Sequence, residues 1–127
     1  MGSGMANTII LVVEDEPDVR ESVIDLLDIL GYKTVSAVNA DDALNVLREN
    51  SNIDLMLTDI VMPGKINGIE LAIQAMKIKK DLKVIYTSGY PEDKISKDME
   101  KDVPEPLLVK PYSMKELDEM LKAVIGS

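Results

Sequence analysis

The 127-residue chain has no cysteine and no histidine. Without cysteine there is neither a disulfide framework nor a thiolate metal site, and the chain is compatible with a reducing, cytoplasmic compartment. The lack of histidine removes the commonest general base, the commonest transition-metal ligand and any phosphohistidine of its own. Positive charge is scarce: 14 Lys and Arg stand against 23 Asp and Glu, a formal net charge of -9. Such a surface repels nucleic acid and anionic membranes, so the expected partner is a protein, a cation, or a small molecule brought in with one. No apolar run approaches the roughly 20 residues of a membrane span, and no charged-then-apolar leader is visible.

What is present reads as one domain, large enough to bury most of its apolar surface around a core. Met1-Gly2-Ser3-Gly4 before Met5 has the look of a cloning remnant, which places the folded domain at 5–127. Short, nearly continuous apolar runs at 8–13, 34–37, 53–58, 83–88 and 107–109 suggest strands covered on both faces. Amphipathic segments lie between them. In the first, Val19, Val23, Leu26, Leu27 and Leu30 follow the helical period, with Pro17 suited to the first turn and Gly31 to the stop. The second, at 40–50, buries Ala43, Leu44 and Leu47; the third, at 68–78, buries Leu71, Ala72, Ala75 and Met76. A fourth, at 91–101, has only Ile95 and Met99 as its stripe and is expected to dock loosely. Ser113 followed by Glu116 forms a capping-box pattern before Leu117, Leu121, Val124 and Ile125.

Five strands alternating with five helices predict an α/β domain, a parallel sheet between two helical layers. In such folds the ligand site lies at the carboxyl ends of the strands. Those ends carry Glu14-Asp15-Glu16, Asp59, Ser88-Gly89 and Lys110-Pro111. Each alone has an ordinary explanation as a helix-start acid, a loop-entry residue or a solvated amine. Together they form a pattern. Glu14, Asp15 and Asp59 would repel one another unless a cation sits between them, and carboxylates without His or Cys favour Mg²⁺, with Mn²⁺ the alternative. Mg²⁺ commonly pairs protein carboxylates with a phosphate oxygen. Lys110 and the Ser88 hydroxyl would compensate the other oxygens, which leaves Asp59 as nucleophile toward a phosphoryl group.

The acidic pair in ILVVEDEP, the Asp in LMLTDIVMPG, the hydroxyl in VIYTSGY and the Lys-Pro in LLVKPY resemble the response-regulator receiver domain of two-component signalling. The resemblance runs from about Asn7 to Ile125. It implies a flavodoxin-like, doubly wound, five-stranded parallel sheet in the order 2-1-3-4-5 within three layers. It also implies that Asp59 takes a phosphoryl group from a histidine kinase or phosphotransfer protein. On the same resemblance Asp15 is the direct metal ligand, Glu14 acts beside it, and Val61 offers its backbone carbonyl. Ser88 and Lys110 then meet the phosphoryl group, and a protein-binding face switches toward a downstream protein. Within the family the chain most resembles single-domain or hybrid-kinase-type receivers; PGKINGIEL, with its longer loop, and TSGY resemble the form attached to hybrid kinases.

There are departures. Leu107 stands where the family often has a switch aromatic, so Tyr90 or Tyr112 would have to serve instead. Val61 and Tyr90 offer no carboxylate or amide to orient an attacking water, which predicts slow autodephosphorylation. Three rivals are a receiver-like interaction module that works without phosphorylation, a Mg²⁺-dependent aspartate-nucleophile phosphatase and a flavin binder. The phosphatase needs a second Asp where Val61 stands, and a flavin phosphate would be repelled by EDEP.

Overall fold

The structure, a computed structural model, describes residues 8–61, 66–89 and 105–126. Five strands, β1 (Ile9–Val13), β2 (Lys33–Ala37), β3 (Leu55–Asp59), β4 (Lys83–Ser88) and β5 (Leu107–Val109), form one parallel sheet in the order β2-β1-β3-β4-β5. Among the described residues there are four helices: α1 (Pro17–Ile29), α2 (Ala40–Glu49), α3 (Gly68–Ile78) and α4 (Met114–Ile125). The fifth expected helix, at 91–101, and Tyr90 lie outside the described residues.

Side-chain alternation explains why the apolar runs are continuous. Along β1, Leu11 and Val13 enter one core while Ile10 and Val12 enter the other; along β3, Met56 opposes Leu55 and Leu57. The first core is completed by α2 and α3 through Ala43, Leu44, Leu47, Leu71, Ala72 and Ala75. The second is completed by α1 and α4 through Val23, Leu27, Leu117 and Leu121. Because every central strand has apolar neighbours above and below, neither of its faces can carry a polar stripe, and polar chemistry is confined to strand ends.

The helix boundaries follow local signals. Pro17 opens α1, and Gly31 ends its exit turn at φ 94°, a left-handed conformation that favours glycine. Asn39 and Asn67 cap α2 and α3 by accepting backbone N–H bonds. Ser113 and Glu116 make the reciprocal capping box expected at the start of α4.

Three burial expectations shift. Met76 is exposed, since it lies about 140° around the helix from Leu71, at the edge of the apolar stripe. Val124 and Ile125 are only partly buried in the last turn of α4. The third strand begins at Leu55 and includes Asp59, whose Cα is in register with Thr87 of β4, so the acid completes the strand.

Candidate functional site

The chain leaves β1 for β2 on one side and returns to β3 on the other, so the strand order reverses between β1 and β3. Glu14 follows β1 and Asp59 ends β3 at that crevice. Both are buried despite their charge. The backbone holds each in place. Glu14 donates its N–H to the Ala37 carbonyl at 3.1 Å, and its own carbonyl accepts from Arg20 Nη1 at 2.8 Å, tying the end of β1 to α1. Beneath Asp59, the Ile60 N–H donates to the Thr87 carbonyl at 3.0 Å, and the Gly68 N–H donates to the Ile60 carbonyl at 2.7 Å. A Cβ on Gly68 would overlap the Asp59 carbonyl oxygen, so only glycine lets α3 start this close to the strand end.

Lys110, just past β5, reaches across to both acids. Its Nζ lies 2.6 Å from Asp59 Oδ1 and 2.8 Å from Glu14 Oε1. The other Glu14 oxygen, Oε2, accepts the Glu16 N–H at 3.1 Å. Burial pushes the Glu14 carboxyl above the ordinary range, reinforced by the adjacent Asp59, while Lys110 and the Glu16 N–H work in the opposite direction. For Lys110, burial works to lower the ammonium's pKa. The hydrogen bonds to Asp59 and Glu14, with the charges of both acids, outweigh that, and the result is upward.

Asp15, partly exposed, completes the group: carboxylate oxygens of Glu14, Asp15 and Asp59 lie within 4.8 Å of one another. Three carboxylates face one ammonium, so when ionised they leave an excess of negative charge that a divalent cation would neutralise. The all-oxygen donor set suits a hard cation. Val61 follows on the exposed side, the residue being 53% accessible.

A hydroxyl that the sequence did not single out also reaches the acids. Thr87 donates its Oγ1–H to Asp59 Oδ1 at 2.7 Å, a contact that local pattern does not announce because it depends on the β3/β4 register. Ser88, the expected partner of the phosphoryl group, is the next residue, buried at the same strand end; its backbone carbonyl accepts from the Lys110 N–H at 2.7 Å. Tyr112 lies beside Lys110, and its hydroxyl has no hydrogen-bond partner among the described residues. Burial pushes its phenol up to about 12, against the opposing pull of Lys110. Lys110, Pro111 and Tyr112 also line one wall of a groove of about 260 Å³ whose other wall is Val19, Ser22, Val23 and Leu26 of α1.

A buried aspartate at the switch of a 2-1-3-4-5 parallel sheet, flanked by two further acids and a lysine, defines a flavodoxin-like acidic-pocket domain. Residues 10–122 match the response regulator receiver domain, and the chain belongs to that family. Among curated proteins it is 34% identical over 119 residues to the response regulator receiver protein CpdR of Brucella abortus (strain 2308), covering 93% of this chain and 98% of that one. It is 32% identical over 117 residues to the sensor kinase CckA of the same organism, covering 91% of this chain but 12% of the kinase. Among solved structures, the response regulator TrrA of Thermotoga maritima, in complex with Mg(2+)-BeF, is 36% identical with a TM-score of 0.78, covering 92% of this chain and 98% of that one. The receiver domain of the hybrid histidine kinase CckA is 35% identical with a TM-score of 0.75 over the same shares. The protein is therefore a two-component signalling domain of the kind found in phosphorelay proteins, and within the described residues no helix is long and apolar enough to cross a membrane.

Proposed function

We propose that Asp59 is the phosphoacceptor of this receiver, taking a phosphoryl group from a phosphohistidine on a partner kinase or phosphotransfer protein. The observation that carries this is the buried Asp59 carboxylate held 2.6 Å from Lys110 Nζ, with Glu14 and Asp15 oxygens close by. A carboxylate nucleophile needs an attacking oxygen at a fixed place and positive charge where the phosphoryl oxygens will lie. Lys110 supplies such charge, and Ser88 at the end of β4 is the hydroxyl assigned to a further phosphoryl oxygen.

Glu14, Asp15, Asp59 and the backbone carbonyl of Val61 would hold Mg²⁺, with Mn²⁺ as an alternative occupant. When bound, the ion neutralises charge on the acids and on the transferring group. Two observations support this assignment: the all-oxygen acidic cluster, and the Mg(2+)-BeF carried by TrrA, a 36% identical receiver.

The domain acts as a phosphorylated signal carrier, its only chemistry being its own phosphorylation and a slow loss of the phosphoryl group. The exposed, apolar Val61 supports a slow loss, because it has no group to orient an attacking water. A downstream protein reads a face that changes on phosphorylation. A kinase or phosphotransfer partner is supported by the likeness to CckA, of which this chain spans a small part, and to CpdR, of which it spans nearly all.

Intact mass after incubation with acetyl phosphate and Mg²⁺ tests the assignment. The wild type is expected to gain one phosphate and Asp59→Asn none. A gain that survives the substitution refutes Asp59 as acceptor.

A further inference from the structure

Two donors converge on one oxygen of Asp59. The Lys110 ammonium is 2.6 Å and the Thr87 hydroxyl 2.7 Å from Oδ1. The fold aims Thr87 at this point. Its Cα is the register partner of Asp59, and alternation places the pair on the sheet face that Leu55, Leu57 and Ile85 occupy. Both residues are buried, and the β-branched threonine has few χ1 choices in a strand.

We infer that Thr87 is a positioning residue for phosphoryl transfer: its hydroxyl, together with Lys110, occupies Oδ1 and so presents Oδ2 as the attacking oxygen. This rests on Asp59 being the acceptor and deepens that reading. A lone pair of Oδ2 forms the new bond to phosphorus. The bond from phosphorus to the donor's nitrogen or oxygen breaks, and its electron pair leaves with the donor. Asp59 becomes an acyl phosphate in which Oδ1 is the carbonyl oxygen, still accepting from Thr87. The threonine keeps its proton throughout. Without the hydroxyl the carboxylate is freer to turn about its broad terminal torsion, and productive alignment becomes rarer.

The test follows mass gain against time over a range of acetyl phosphate concentrations with Mg²⁺, in the wild type, Thr87→Val and Thr87→Ser. Valine keeps the shape and removes the hydroxyl; serine keeps the hydroxyl. Thr87→Val is expected to lower the maximal rate about tenfold with the half-saturating donor concentration unchanged, and Thr87→Ser to return it to within about threefold of wild type. A role confined to packing would show no such rescue by serine, which lacks the methyl group. If Thr87→Val does not fold, Thr87→Ala takes its place against the same serine variant. A hydroxyl-free variant at the wild-type maximal rate, or a serine variant as slow as it, overturns the inference while leaving Asp59 as acceptor. A wild type that gains no phosphate, or whose gain survives Asp59→Asn, overturns both.

Discussion

Strand β3 is preceded by one aspartate and ends in another, and the two have opposite lives. Asp54, just before Leu55, is exposed; its Oδ2 accepts the Ile9 N–H at 3.0 Å, while its backbone joins Ile9 and Lys83 of the neighbouring strands. Asp59, at the carboxyl end, is buried against Lys110, Thr87 and Glu14. The residue type and the strand are the same. What differs is the surroundings: at the amino end Asp54 finishes a ladder in contact with water, whereas at the carboxyl end the crevice between β1 and β3 gathers charge away from it. A carboxylate at the first end satisfies backbone; at the second it is costly unless paired, and here Lys110 and Thr87 pair it.

The contrast can be broken most severely by removing the cation. Lys110→Met leaves Glu14 and Asp59 facing each other without their shared ammonium. The rate of mass gain from acetyl phosphate is expected to fall by about a hundredfold. Next in size is Gly68→Ala, whose methyl group must displace the Asp59 carbonyl or the start of α3. Chemical denaturation should show a loss of about 1 to 3 kcal/mol, with slower phosphorylation than a surface control such as Glu70→Ala.

A smaller effect comes from Tyr112→Phe. The phenol has no partner for its hydroxyl among the described residues, so its removal should raise stability by about 1 kcal/mol at neutral pH. The pH profile sharpens this. Burial lifts the folded pKa from 10.0 to about 12, so stability takes no penalty from ionisation of this phenol below pH 10 and falls as pH rises from there through about 12. Melting temperatures across that window should therefore fall more steeply for the wild type than for Tyr112→Phe. The smallest effect belongs to the other aspartate: Asp54→Ala should lower the melting temperature by only a few degrees, with the phosphate gain unchanged. A loss of phosphorylation there would erase the distinction between the two ends of β3.

Much of this arrangement is legible in the sequence because the central strands are buried on both faces. Charged residues are kept out of their buried middles, so Glu14, Asp59 and Lys110 stand out as the points where apolar runs stop. The helices are legible where punctuation is strong, as with Pro17, Gly31 and the Ser113–Glu116 box. Features that depend on two distant segments are less so. Thr87 sits inside an apolar run and reads as an ordinary strand residue until the Asp59↔Thr87 register is known. The direct pairing of Glu14 with Lys110, 96 residues apart, is likewise a product of topology. Met76 fits the helical period yet lies outside the buried face, because periodicity gives an angular direction and not the width of the neighbour it meets.

Gly68 shows how strictly one such long-range contact restricts the amino-acid alphabet. Glycine is among the poorest helix formers, and α3 nevertheless begins with it. Helix preference is overruled by the carbonyl oxygen of Asp59, which fills the space where any side chain would start. In a saturation scan read out by phosphorylation rate, position 68 would therefore rank glycine above every other letter, with even alanine slowed, while the exposed Glu70 two residues later would accept many.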